Sequence, residues 1–170
     1  LPKYKDGAVI DYHQSLTETI DAQLGYSLET SLPTLTLTNT RAPETVEVKV
    51  TKVWDDNSNQ DGVRPDTLPV TLTGSDNVEH QIDLTSDHAL AGDANTWQYT
   101  FPSLPKYQNG VEIDYHESLT ETIDPELGYS LTTDLDTLTL TNSRTPETVE
   151  VKVTKVWVDA DNQDGKRPAT

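Results

Sequence analysis

Residues 45–54 read TVEVKVTKVW, with an apolar side chain at every second position except where Lys52 stands. Successive side chains of a β-strand point to opposite faces, so Lys52 shares a face with Trp54 and with the valines at positions 46, 48 and 50. This alternation, rich in β-branched residues, predicts a strand that is buried on one face. Lys52 is then directed into an otherwise apolar core.

The segment also belongs to a long internal repeat. Residues 1–67 align without a gap to residues 104–170, and 50 of the 67 paired positions are identical. The period matches one β-sandwich domain of roughly 100 residues and exceeds the about 20 to 50 residues of solenoid repeats. We interpret the copies as products of duplication and the chain as part of a tandem array.

Alternating apolar segments recur through the rest of the repeat, and residues rich in Asp, Asn, Gly and Pro separate them. They lie at residues 68–72, 97–101, 113–123 and 135–142. No segment shows the periodicity of a helix. We therefore predict an all-β fold, an antiparallel Ig-like β-sandwich of about seven strands that is repeated in tandem.

Two prolines mark the predicted domain boundaries. Pro43 and Pro146 each interrupt a polar run between two strand patterns. This predicts one complete domain, residues 45–146, preceded by the C-terminal half of another repeat at 1–44. Residues 147–170 would be the N-terminal strand and loop of a following repeat. Because the sequence contains no Met, we expect a longer protein.

The composition excludes several classes of function. The absence of Cys excludes disulfides and thiolate metal sites. A net charge of −17 disfavours nucleic acid and anionic membranes as partners, and without an apolar run of about 18 residues we expect no membrane insertion. We predict no cofactor or metal. Segments 56–62 and 159–165 resemble calcium loops, but the sequence does not supply the EF-hand glutamate, which favours simple turns.

Three polar residues interrupt apolar faces of the predicted sandwich. Lys52 lies on the first strand, Asn142 follows two leucines on one face of the last strand, and Glu121 lies between two apolar residues in the strand before. Burial lowers the pKa of a lysine and raises that of a carboxylic acid, and a neutral amine is a nucleophile. If the Glu121 carboxyl donates to the Asn142 amide oxygen, the amine can attack the amide carbon. Ammonia then leaves, and an isopeptide bond remains.

Two other arrangements fit the same pattern. Lys52 and Glu121 can form a buried ion pair with Asn142 hydrogen-bonded beside it. The Lys52 side chain can instead extend past the end of the strand into solvent. The pattern alone leaves these alternatives open.

Several motifs occur together across the repeat: VTKVWDD at 50–56, QDGVRP at 60–65, WQYTF at 97–101, LPKY at 104–107, GY at 128–129 and TLTN at 139–142. With them the chain resembles the B-type repeats of collagen-binding adhesins and the related pilin domains of Gram-positive bacteria. The resemblance implies a reverse-Ig β-sandwich of the CnaB type. It also implies that Lys52 is joined to Asn142, with Glu121 of the penultimate strand as the promoting acid.

Glu117 is the alternative for the acid. The other copy has Gln14 at the position of Glu117 but keeps Glu18 at the position of Glu121. A catalytic carboxyl should survive duplication, so we prefer Glu121.

The resemblance assigns roles in the flanking fragments as well. Glu18 and Asn39 would serve the preceding repeat, and Lys155 would serve the following one. Their reaction partners would lie outside the chain, so neither fragment could close a bond by itself.

Tandem near-identity and a cross-link between the first and last strands favour a structural role. We expect a stalk or fibre module of an extracellular, cell-wall-attached surface protein of a Gram-positive bacterium. Its partners would be neighbouring repeats, with strand-sharing between chains as a further option. The alternative is a ligand-binding adhesin module that recognises host matrix or glycan. Bond formation would be a single self-reaction, so we expect no enzymatic turnover.

Overall fold

The computed structural model describes residues 1–168, and the last two residues of the predicted 147–170 fragment lie outside the described residues. Residues 1–44 form two small antiparallel hairpins. β1 (Tyr4–Lys5) pairs with β2 (Ala8–Val9), and β3 (Ser27–Ser31) pairs with β4 (Thr36–Thr40). A 3-10 helix at Ala22–Leu24 precedes β3.

The other ten strands lie between residues 45 and 143. They are β5 (Thr45–Asp55), β6 (Leu68–Thr73), β7 (Glu79–Leu84), β8 (Ala89–Leu90), β9 (Asp93–Pro105), β10 (Tyr107–Gln108), β11 (Val111–Glu112), β12 (Ser118–Glu121), β13 (Ser130–Asp134) and β14 (Thr139–Ser143). Two 3-10 helices occupy Ser86–His88 and Pro125–Leu127. The prediction of an all-β fold is confirmed. Within residues 1–168, no helix has the length and apolar character needed to cross a bilayer.

Two sheets of this region enclose one hydrophobic core. The larger sheet has the order β13-β14-β5-β9-β8, and the smaller has the order β12-β6-β7. Both sheets contribute buried apolar side chains, as period-two alternation predicts. These are Val48, Val50, Trp54, Leu68, Val70, Leu72, Leu84, Trp97, Phe101, Leu104, Ile113, Tyr115, Leu119, Leu138 and Leu140.

The first and last strands of the sandwich are neighbours and run in parallel. Leu140 of β14 lies opposite Lys52 of β5, and Asn142 lies opposite Trp54. The antiparallel prediction therefore has one exception, because the other described strand pairs are antiparallel. In this register Asn142 lies two residues beyond the position opposite Lys52, on the same face of the sheet, so the two side chains can come close together.

Two details of the predicted strands are wrong. The predicted strand 113–123 is reduced to β12, because the Asp114 side chain accepts a hydrogen bond from the His116 backbone at 2.9 Å and turns the chain. The apolar pattern does not predict β13, because all of its side chains are exposed and give no alternation. Glu121 is therefore two strands before β14, and not in the penultimate strand.

Candidate functional site

The three polar residues predicted to face the core lie together inside it. The side chains of Lys52, Glu121 and Asn142 are all 0 % exposed. Lys52 Nζ donates to Glu121 Oε2 at 2.8 Å, and Asn142 Nδ2 donates to Glu121 Oε1 at 2.6 Å. The Glu121 carboxylate therefore bridges the lysine amine and the amide nitrogen.

The two sheets supply different members of this group. Lys52 and Asn142 come from the adjacent strands β5 and β14 of the larger sheet. Glu121 ends β12 in the smaller sheet, where it lies opposite Val70 of β6. The group therefore spans the core from one sheet to the other, and its geometry depends on the packing of both.

The structure separates several of the alternatives. Full burial means that Lys52 does not extend into solvent. Glu117 is exposed, whereas Glu121 contacts both nitrogens. A buried ion pair with a hydrogen-bonded amide has the same geometry as an unreacted cross-linking site, so the contacts fit both readings.

Burial also changes the ionisation of the amine. Desolvation lowers the pKa of Lys52 to about 8, although the hydrogen bond and the charge of Glu121 act in the opposite direction. At a pH near this value about half of the amine is neutral and therefore nucleophilic. The indole ring of Trp54, with its centre 4.7 Å from Nζ, packs beside the amine.

The amide of Asn142 is oriented differently from the sequence-based hypothesis. That hypothesis has the carboxyl donate to the amide oxygen, whereas Glu121 accepts from the amide nitrogen. A carboxylate only accepts hydrogen bonds, so it pairs with the NH2 donor. Asn142 Oδ1 has no hydrogen-bond partner among the described residues.

A second buried network, which the sequence patterns did not predict, packs at the end of β5. The Asp56 carboxylate accepts hydrogen bonds from Arg64 Nε at 2.7 Å, the Tyr129 hydroxyl at 2.8 Å and the Asn59 backbone at 2.9 Å. Desolvation acts to raise the pKa of Asp56, but these donors lower it to about 2. The Arg64 guanidinium lies 5.4 Å from the centre of the Trp54 ring. The network thus packs against the indole ring that lies beside the Lys52 amine.

The repeat carried a signal for this network. Asp159 and Arg167 form the same contact in the following copy, with Arg167 Nε 2.9 Å from Asp159 Oδ2. The aspartate and the arginine are identical in both copies and eight residues apart in each, as are several other residues of the two loops. Segment 56–62 is a turn whose aspartate binds an arginine.

The predicted site residues of the flanking fragments lie in a different environment. Asn39 Nδ2 donates to both oxygens of Glu18, at 3.1 and 2.9 Å, but both residues are exposed. Lys155 is exposed too, 4.6 Å from the Trp157 ring, and makes no ion pair in the described part of the chain. The structure brings a lysine to the Glu–Asn pair at Lys52 but not at Glu18 and Asn39.

Comparison with known proteins identifies the family. The sequence model of the Cna protein B-type domain matches residues 48–143, more than half of the chain. The collagen adhesin of Staphylococcus aureus is 42 % identical over 134 residues, which are 79 % of this chain and 10 % of that protein. The chain thus spans about a tenth of the length of this curated relative.

Two solved structures from the same organism are also similar. The two B repeat units (B1B2) of the collagen-binding protein share 36 % identity at a TM-score of 0.58, covering 85 % of this chain and 36 % of that one. The single B repeat unit (B1) shares 38 % identity at a TM-score of 0.49, covering 74 % and 60 %. The resemblance expected from the motifs is confirmed, and the chain belongs to the family of Cna protein B-type domains.

Proposed function

We propose that the chain is a structural stalk or fibre module of an extracellular, cell-wall-attached protein of a Gram-positive bacterium. In this proposal an autocatalytic isopeptide bond between Lys52 and Asn142 locks each complete repeat. The observation that carries it is the fully buried group in which Glu121 contacts both reacting nitrogens. Membership in the B-type domain family and the tandem repeat support the same role.

The chemistry needs only the groups present. The neutral amine of Lys52 attacks Cγ of Asn142, the bond from Cγ to Nδ2 breaks, and ammonia leaves. One proton must pass from the attacking nitrogen to the leaving nitrogen. Glu121 can take it on Oε2 and return one from Oε1, since these oxygens lie 2.8 and 2.6 Å from the two nitrogens. The carboxylate ends unchanged, but the lysine and asparagine are consumed, so the reaction happens once.

The bond would matter mechanically because of where it lies. It joins β5 to β14, the first and last strands of the sandwich. Tension that enters at one strand and leaves at the other would then pass through a covalent link. The sheets would not need to resist that tension with hydrogen bonds alone.

Intact-mass spectrometry of the purified chain tests the bond. We expect the mass to be lower than the sequence mass by one ammonia, and a digest to contain a branched peptide that joins Lys52 to Asn142. Glu121→Gln should restore the full mass, because the amide cannot carry the proton. The matched control Glu18→Gln should still lose one ammonia. An unmodified parent mass would show that the group is a static ion pair and would overturn the proposal.

A ligand-binding adhesin module is the second candidate, because the relative in Staphylococcus aureus carries the name collagen adhesin. Repeated copies of a weak site would give avidity. A binding screen of the chain against collagen, other matrix proteins and glycans separates the candidates. Saturable binding that survives Glu121→Gln would favour the adhesin module over a purely structural one.

A further inference from the structure

The predicted boundaries between repeats carry a similar short segment twice, RAPE from Arg41 to Glu44 and RTPE from Arg144 to Glu147, which differ only at the second position. In each, the arginine contacts the glutamate three residues later, at 2.7 Å in the first and 3.2 Å in the second. A proline precedes each glutamate, and proline restricts both its own backbone and that of the residue before it. The boundary segment is therefore short and stiff.

At the second boundary, residues of the preceding repeat hold the segment. Arg144 forms an ion pair with Asp61, and its Nε donates to the Leu127 carbonyl at 3.0 Å. Asp61 Oδ2 also accepts the backbone N–H of Glu147 at 3.0 Å. The Arg144 and Asp61 side chains are only 13 % and 17 % exposed. The first residue of the following repeat is therefore tied through its backbone to a loop of the preceding one.

At the first boundary, a residue of the following repeat holds the segment. The Lys106 backbone N–H donates to the Glu44 carbonyl at 3.0 Å, and Lys106 Nζ lies 3.6 Å from Glu44 Oε2. Glu44 therefore contacts Arg41 on the preceding side and Lys106 on the following side.

Each boundary shows a different half of one arrangement. The Asp61 position has no counterpart within residues 1–44, and the Lys106 position has none within residues 147–170. Because the repeats are nearly identical, a boundary between two complete repeats would contain both halves. Aspartate, arginine, glutamate and lysine would then alternate in charge across it.

We propose that these four residues form a clasp at every boundary between complete repeats and hold consecutive repeats in one orientation. The clasp consists of Asp61 and Arg144 of the preceding repeat with Glu147 and the lysine corresponding to Lys106 of the following repeat. The partner that this surface fits is therefore a second copy of the repeat in the same chain. The inference rests on the proposed stalk function and adds stiffness to it.

The buried and backbone contacts give the clasp its strength. An exposed ion pair contributes little and is screened by salt. Here the Asp61–Arg144 pair is mostly buried, and two hydrogen bonds, from the backbone of Glu147 and of Lys106, add directional contacts. Directional contacts on both sides of a stiff segment restrict its orientation more than charge attraction alone.

A lengthened chain tests the clasp. Insertion of a second copy of residues 44–146 after Pro146 gives two complete repeats around one full boundary, at which the inserted Glu44 takes the place of Glu147. The sequence has no Cys, so Gln81→Cys in each repeat, on exposed positions of β7, places the only two nitroxide labels. Pulsed electron–electron double resonance then measures the distribution of distances between the repeats. We expect one narrow distribution.

The controls use the same substitution at two places. Asp61→Asn in the first repeat should at least double the width of the distribution, whereas Asp61→Asn in the second repeat should leave it unchanged. Lys106→Gln in the second repeat should broaden the distribution, whereas Lys106→Gln in the first repeat should leave it unchanged. Only the lysine of the second repeat lies at the boundary between the two labels. A substitution that merely weakens folding would act equally in both places.

The outcomes separate the clasp from the cross-link. A broad parent distribution, or equal effects in both repeats, would overturn the clasp. Intact mass of the same samples reports the bonds independently, with two ammonia molecules lost if both repeats react. A chain without bonds that keeps the narrow distribution would refute the proposed cross-link and leave the clasp standing.

Discussion

Residues 1–43 and 104–146 are two copies of one repeat segment, identical at 31 of 43 positions, in two settings. Both copies form a hydrogen bond between the corresponding side chains, Glu18 with Asn39 and Glu121 with Asn142. In the second copy the pair is buried against Lys52, whereas in the first it is exposed and no lysine within residues 1–168 forms an ion pair with Glu18. The same residue types therefore form a candidate reaction centre only where the rest of the sandwich surrounds them.

The local structure of the two copies is nearly the same. β3 and β4 pair in the register of β13 and β14, with Leu28 opposite Asn39 and Leu131 opposite Asn142. The counterpart of β12, however, is not a strand, because β12 pairs with β6 and residues 1–44 contain no counterpart of β6. Hairpins form from local sequence, whereas burial of the acid requires strands that are distant in the chain.

The largest expected difference between the copies is in stability. Asn142→Ala removes the proposed cross-link, which closes a loop of roughly 90 residues, and should lower the free energy of unfolding by on the order of 4 kcal/mol. Asn39→Ala should have no effect, because Asn39 is exposed. Denaturant unfolding followed by tryptophan fluorescence measures both. Equal effects of the two substitutions would contradict the comparison.

A smaller difference is expected at the paired tyrosines. Burial and the hydrogen bond to Asp56 raise the pKa of Tyr129 to about 12, whereas Tyr26 is 44 % exposed. Tyr129→Phe removes a hydrogen bond to a charged group and should cost about 2 kcal/mol of folding free energy. Tyr26→Phe is the matched control and should be neutral. Ultraviolet titration of the parent should show one tyrosine ionising near pH 12, and its absence in Tyr129→Phe confirms the assignment.

The smallest effect concerns the ionisation of Lys52. Because burial lowers the pKa of Lys52 to about 8, the neutral amine becomes more abundant as pH rises towards that value. The experiment needs unreacted chain, which can be synthesised chemically, kept in denaturant and refolded by dilution. The rate of bond formation should then rise about tenfold per pH unit below pH 8 and level off above it. Timed intact-mass measurements give the rate. A rate that keeps rising to a pH near 10.5 would show that the amine reacts from a solvent-like environment.

The alternation of apolar side chains predicts part of the candidate site. Lys52 and Asn142 lie at positions of strongly alternating segments where the pattern would place an apolar residue, and both are buried. The strand that carries Glu121 is short and ends at that residue, so alternation alone does not separate Glu121 from Glu117. The preference for Glu121 rests on the other copy, which keeps Glu18 at the corresponding position. Period-two patterning is reliable where one face is fully buried.

Other features leave no such signal. The contact of Asp56 with Tyr129 joins residues 73 positions apart, and no local pattern predicts it. The parallel pairing of β5 with β14 depends on how the chain returns to its first sheet, which alternation does not report. Glu18 and Asn39 are also the same residue types as Glu121 and Asn142. The setting of the Glu–Asn pair, and not the residues of the pair itself, distinguishes the two copies of the pair.

The parallel pairing of β5 and β14 determines how far the protein can be stretched. Thr45 begins β5, and Ser143, which ends β14, lies opposite Asp55, so the chain enters and leaves at opposite ends of the sheet, about 33 Å apart. Fully extended, one period of the repeat would span about 340 Å. With the proposed bond closed, the roughly 90 residues between Lys52 and Asn142 are shielded from tension, and only about 13 residues, or about 45 Å, can extend. An array of repeats cross-linked in this way would be a tether of nearly fixed length.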